Sequence, residues 1–363
     1  MYSIINRYIF MSFFKQVITI LFLVTFVLVI FDFIELARIT ASKNIAILKV
    51  LEMSIYKVPT HVQKVFGFLI LIAAVVTYSK LNKNSELVIM KASGISIWQI
   101  AFPSIVGAFL IGIFFTAALN PIASSLTKKY QKMDAVHLKG NASLLSISKT
   151  GLWIKQQNPD GTESIIHALR IIPSSHELMD VTFYFRNPSG AFSSRVDAAS
   201  AKLLHGEWLL NNVNENSEAR LNFRSDELKV PTELTFEQIQ ENMLTPETVS
   251  FWKLKSFISV AENSGLSVIK HRLYLYKLLV APLFFIAAVI LGMSFCVSNA
   301  RHKRMNIAYF SCFATGFAIY FLSDILTALA ASGALDAIVA SLVPTIIMIG
   351  VGSMILLHLE EIR

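Results

Sequence analysis

Six stretches of this chain are apolar over a length that matches a bilayer: Met11 to Phe31, Val62 to Tyr78, Ile97 to Ile122, Leu273 to Val297, Met305 to Leu326 and Ala337 to Leu359. A helix crosses hydrocarbon with roughly 20 apolar residues. Hydrocarbon holds no water to bond the backbone, so only helices and closed barrels cross it. The stretches are read as six transmembrane helices. Charged residues make up only 15% of the chain, against about 25% in soluble domains, so much of the surface does not face water. The first apolar run is too long for a cleaved leader, and no small-residue cleavage site follows it.

Between the third and fourth stretches the pattern changes. Leu145-Ser146-Ile147-Ser148, Leu152-Trp153-Ile154-Lys155, Val181 to Arg186 and Leu221-Asn222-Phe223-Arg224 alternate apolar and polar. Period-two patterning broken by turn residues means antiparallel strands with one wet face, and Asp160-Gly161 is a hairpin turn signal. The expected architecture is a membrane α-helical protein with an inserted all-β domain of sandwich or jelly-roll type. Residues 1–129 hold spans 1 to 3, residues 130–245 the β domain, and residues 246–363 a linking helix with spans 4 to 6. Thr245-Pro246-Glu247 supplies an N-cap, a first-position Pro and an early acid for that linking helix.

The net charge of +8 is spent beside the apolar spans, where anionic headgroups attract Lys and Arg, and not on a nucleic-acid surface. Arg7, Lys15, Lys80, Lys83, Lys91, Arg301, Lys303 and Arg304 fall on one side of the membrane. Arg38, Lys43, Lys49 and Lys57 oppose them without reversing the bias. The excess places both termini and the loop over 80–99 in the cytoplasm, and the β domain across the membrane. Cys296 and Cys312 lie in apolar spans, as small hydrophobes.

The loop between the second and third spans is too apolar for a solvated linker. Leu87, Val88, Ile89 and Met90 are consecutive, and Leu87, Met90, Lys91 and Gly94 follow helical spacing. Gly94 suits a helix stop, and Ser96 with Gln99 has the form of a capping box. A short docking helix over about 84–94 is expected, with Glu86 favoured at its start by the helix dipole. The chain has no phosphate-binding loop, no zinc-type His-Glu-x-x-His and no Gly-x-Ser-x-Gly. Neither a catalytic residue nor a metal or cofactor site is expected.

Ser85-Glu86-Leu87-Val88-Ile89-Met90-Lys91-Ala92-Ser93-Gly94 resembles the coupling-helix motif of the LptF/LptG family, the permease halves of the lipopolysaccharide-export ABC transporter. Asn6-Arg7-Tyr8-Ile9, Val58-Pro59, Gly151-Leu152-Trp153, and Gly316-Phe317 with Tyr320, Leu322 and Asp324 agree with it. So does the order of three spans, β domain and three spans, and the motif's wording is nearer the LptG branch than the LptF branch. The resemblance implies a bacterial inner-membrane half-permease, with its β domain in the periplasm. It would pair with an LptF-type half and a dimer of the cytoplasmic ATPase LptB, which uses the ATP. It would pass lipopolysaccharide toward the single-span LptC and the periplasmic bridge protein LptA, serving outer-membrane biogenesis in a Gram-negative cell. By the same resemblance Glu86, Leu87, Met90, Ala92 and Gly94 couple to the ATPase, and the fifth span borders a lateral gate through Phe310, Phe313, Phe317 and Tyr320. Arg38 and Lys43 are candidate headgroup contacts. The chain departs from the family at Asp32, where relatives often carry a Lys; a carboxylate there is expected to repel phosphate.

Overall fold

A computed structural model describes residues 2–41, 45–137, 145–148, 151–157, 162–172, 175–186, 192–204, 206–217, 223–232, 245–263, 267–298 and 305–361. The chain divides into two compact units. One comprises Met1–Tyr130, Ser250–Trp252 and Arg272–Arg363; the other comprises Gln131–Val249 and Lys253–His271.

The first unit is helical. In chain order it contains α1 (Tyr2–Thr40), α2 (Ile47–Lys83), the short α3 (Glu86–Ala92) and α4 (Ile97–Phe114), followed by a π-helical turn (Phe115–Leu119) that leads into α5 (Asn120–His137). After the strands come α6 (Phe251–Asn263), α7 (Ile269–Ser298), α8 (Met305–Ala331) and α9 (Ala337–Glu361). Six helical segments are long and apolar enough to cross a membrane, with α4, the π turn and α5 forming one of them. In α7, 61% of the most apolar window is buried, against 11% in α1 and 17% in α8. So α7 is the centre of the unit, and α1 and α8 present most of their surface outward.

Two sequence expectations change. The interfacial helix expected over Ala46 to Lys57 and the second span are a single helix, with Pro59 inside it. The third span does not end at Pro121 either. The π turn absorbs the extra residue, with the Asn120 N–H donating to the Phe115 carbonyl, and the helix runs on.

Prolines in these helices leave a carbonyl unbonded four residues earlier, and side chains from elsewhere in the unit take up two of them. Opposite Pro121, the Ala117 carbonyl accepts the Trp252 indole N–H at 3.1 Å. Opposite Pro282, the Leu278 carbonyl accepts the Thr116 hydroxyl at 2.9 Å. The helices come this close because Gly112 has no side chain: a Cβ there would lie 2.4 Å from the Pro282 Cα. Beside them Phe66, Phe115 and Phe285 pack ring to ring, with centroids 5.0 to 5.3 Å apart.

The second unit holds one antiparallel sheet: β1 (Leu145–Ser148), β2 (Gly151–Gln157), β3 (Glu163–Ile172), β4 (Glu177–Arg186), β5 (Phe192–Leu204), β6 (Glu207–Ser217) and β7 (Phe223–Pro231). Each described strand pairs with its sequence neighbour. The expected architecture of six spanning helices with an inserted all-β domain stands. The connectivity among the described strands is a meander, without the crossed return of a Greek key. Ile154, Ile166, Phe183 and Val196 lie in register and are buried. Trp153, His167, Thr182 and Asp197 form the next row, on the opposite face. Asp180 and Asn212 adopt positive φ in β4 and β6, at the level of Ala199 in the strand between them. The burial therefore skips phase there, from Leu178 to Val181 and from Leu210 to Val213. The linking helix also starts later than Thr245-Pro246-Glu247 implies: Pro246–Thr248 makes a single 3-10 turn, and α6 begins at Phe251. Asp160-Gly161 lies outside the described residues.

Replacing Thr116 with Val keeps the shape but strands the Leu278 carbonyl. Detergent-purified Thr116→Val is expected to lose about 1–2 kcal/mol of stability, read as a lowered midpoint in thermal unfolding.

Candidate functional site

Helix α3 is built by its two ends. Ser85 turns the chain with φ 60° ahead of Glu86. At the far end the Gly94 N–H bonds the Lys91 carbonyl (3.1 Å) and the Ile95 N–H bonds the Met90 carbonyl (3.2 Å). This is a Schellman closure, and it needs the left-handed residue that Gly94 supplies at φ 85°. Ile95 and Met90 are both buried, the apolar contact that accompanies this motif. Ser96 and Gln99 then form the expected capping box and start α4.

These ends fix which face of α3 looks inward. Leu87 and Met90, three residues apart, are 3% and 8% exposed. Val88 and Ile89 are 53% and 64% exposed, and Ala92 and Gly94 are exposed beside them. The expectation that Leu87 and Met90 make an outside contact is therefore revised: they moor the helix to its own unit, and Val88 with Ile89 is the apolar pair on offer. Spacing alone located a stripe on α3, but a helix this short carries apolar residues on two faces, and tertiary packing chose between them. Glu86 is half-buried and accepts from the Asn84 amide at 3.0 Å and from the Tyr8 hydroxyl of α1 at 3.3 Å.

At the opposite end of α1, Asp32 does not stand open to repel an anion. It is 5% exposed, and its Oδ1 lies 3.0 Å from Lys57 Nζ on α2 and 3.6 Å from His61 Nε2. Lys57 also reaches Glu35 at 3.2 Å. Asp32 Oδ2 is buried without a hydrogen-bond partner. A buried carboxylate is tolerable only when paired, so Lys57 is what permits Asp32 between the helices. Arg38 is exposed one turn and a half further on, and Lys43 lies outside the described residues.

Phe310, Phe313, Phe317 and Tyr320 share one outward face of α8, at 75%, 53%, 60% and 37% exposure. Phe313 also meets Phe68 of α2 edge to face, with centroids 5.1 Å apart. Next to this contact Phe68, Leu71, Ile72 and Val75 of α2 and Tyr309 and Cys312 of α8 line an apolar crevice of about 120 Å³. Sequence reading missed the α2 side of this crevice, although residues 68, 71, 72 and 75 fall at helical spacing. It also missed Tyr8 and Lys57, whose partners are distant in the chain.

The family described as lipopolysaccharide export system permease LptF/LptG matches residues 7–358. The chain is 23% identical to the lipopolysaccharide export system permease protein LptG of Escherichia coli strain K12 over 350 residues, 95% of either chain. It is 22% identical to the protein of that name from Haemophilus influenzae over 356 residues, 96% of this chain and 97% of that one.

Lys57→Met leaves Asp32 buried beside Glu35 without its cation. It is expected to cost about 3 kcal/mol, and Asp32→Asn in the same chain should recover most of the loss. Thermal unfolding of the single and double variants in detergent measures both.

Proposed function

The chain belongs to the lipopolysaccharide export system permease family LptF/LptG, and on that premise we propose that α3 is the docking point of a separate cytoplasmic ATPase. As a member of this family it is a multi-pass inner-membrane permease subunit, and not an enzyme in its own right. The relatives it matches are LptG proteins, and the proposed assembly pairs it with an LptF-type half, two copies of the ATPase LptB, the single-span LptC and the bridge protein LptA. The termini and α3 are proposed to lie in the cytoplasm and the strand unit in the periplasm, since one further crossing separates α3 from the strands.

The observation that carries the reading is the division of labour on α3. Val88 and Ile89 face outward with Glu86 at the helix start, while Leu87 and Met90 are locked into the helical unit. A partner that grips the outer pair moves the helix, and the inner pair passes that displacement to α2 and α4. A loosely tethered loop would dissipate it.

The cargo of this reading has several acyl chains and an anionic sugar head. The acyl chains need apolar side chains that the unit leaves uncovered, and the aromatic face of α8 and the middle of α1, with Phe22, Leu23, Phe26 and Phe31 all exposed, supply them. The other permease half is proposed to close the opposite wall. Arg38, exposed at the outer end of α1, remains the headgroup candidate there. Asp32 is no obstacle to it, because Lys57 cancels its charge locally. In the strand unit the buried row of Ile154, Ile166, Phe183 and Val196 gives the acyl chains an apolar surface to follow, with polar groups on the opposite face.

Val88→Asp with Ile89→Asp forces charge into an apolar contact and is expected to cut copurification of the ATPase by about tenfold or more, with membrane insertion intact. Glu86→Ala should lower the lipopolysaccharide released from proteoliposomes per ATP hydrolysed. Full copurification together with undiminished release would refute the docking assignment.

A further inference from the structure

Helix α1 is held at its two ends and nowhere between. From residue 18 to residue 31 no side chain is buried. At one end Ile9, Phe13 and Val17 are buried at successive turns, and Phe10 and Phe13 sit against Gly107 of α4. At the other end Asp32, Leu36 and Thr40 are buried at the same spacing, with the Asp32–Lys57 pair to α2. A helix mounted in this way moves as a rod when one end is displaced. Its free middle has little packing to break.

One end of that rod is tied directly to α3. Tyr8 stands beside the buried Ile9, and its hydroxyl donates to Glu86 at 3.3 Å. Asn84 donates to the same oxygen, Oε1, at 3.0 Å. Both bonds from within the chain thus fall on one carboxylate oxygen, and Oε2 takes neither of them. A hydrogen-bond donor on a docked partner finds its acceptor on the carboxylate that already holds α1. Among the described residues Tyr8 supplies the side-chain hydrogen bond that joins α1 to α3.

We infer that Tyr8 is the positioning residue through which an event at α3 reaches α1: docking shifts Glu86, and the Tyr8 hydroxyl carries the shift to the end of the first span. The inference rests on the docking role proposed for α3 and adds the route by which that docking is felt in the membrane. Tyr8 touches neither cargo nor nucleotide. Its contribution is to the coupling between them.

The test is Tyr8→Phe in the assembled transporter, which removes the hydroxyl and keeps the ring. The ATPase is expected to copurify in full, while lipopolysaccharide released per ATP hydrolysed falls about threefold, the size of one hydrogen bond. Added to Glu86→Ala, Tyr8→Phe is expected to cost nothing more, since the two groups act as one link. A purely structural role for Tyr8 would instead lower complex yield and add to the Glu86→Ala loss. If Glu86→Ala uncouples release while Tyr8→Phe matches the native protein, the Tyr8 inference falls and the docking reading survives. If Glu86→Ala is silent as well, both fall together.

Discussion

A backbone carbonyl in hydrocarbon has no water to turn to, and the helical unit is arranged around that shortage. Pro121 and Pro282 each free a carbonyl in a spanning helix, and each carbonyl is met from another part of the unit, by the Trp252 indole and the Thr116 hydroxyl. These bonds hold α4, the π turn and α7 in one relation, with Gly112 admitting the Pro282 ring. Asn120, which follows the π turn, extends the same logic. It is fully buried, donates to the Tyr274 hydroxyl at 2.7 Å and accepts the Phe251 N–H at 2.8 Å. The start of α6 is thereby fastened to the helical unit by the residue that marks the end of the extra turn.

Against that fixed centre, α1 and α8 are held lightly. The contrast between 61% burial in the apolar window of α7 and 11% in α1 has a direct reading in a permease. The central helix is stabilised by packing, and the outer ones keep their apolar side chains for lipid, cargo or the other half. Polar links stand where packing is thin. Asp32–Lys57 pins α1 at one end and Tyr8–Glu86 touches it at the other. Ion pairs and exposed hydrogen bonds contribute little to stability for what they cost, but they are directional, and they can be exchanged for other partners. Such links suit an element that must be positioned and still be free to shift.

Helix α3 shows how a short element gains mechanical meaning. Its seven residues are too few to be stable as an isolated helix. The Schellman closure at Gly94 and the burial of Leu87 and Met90 make it part of the unit's rigid body. Only then does a contact on Val88 and Ile89 become a push on something.

The six spanning helices, the all-antiparallel insert, the stop at Gly94 and the capping box at Ser96 were all legible in the sequence. Length, period and turn chemistry are local properties, written in adjacent residues. Helix continuity through Pro59 and past Pro121 was not legible, because a proline's freed carbonyl is tolerated or not according to what lies beside it in space. The same holds for the phase skip at Asp180 and Asn212, whose positive φ breaks an alternation that the residues themselves continue. Composition alone could not say that Asp32 is neutralised, since Lys57 lies 25 positions away. Nor could spacing tell which pair of apolar residues α3 keeps and which it offers. The sequence by itself determined which segments enter lipid and which form strands, because hydrocarbon and the β pleat each select on short-range pattern. The tertiary structure alone decided which charges cancel, which carbonyls are rescued and which face of α3 is left open, because each of those depends on groups that meet only after the chain has folded.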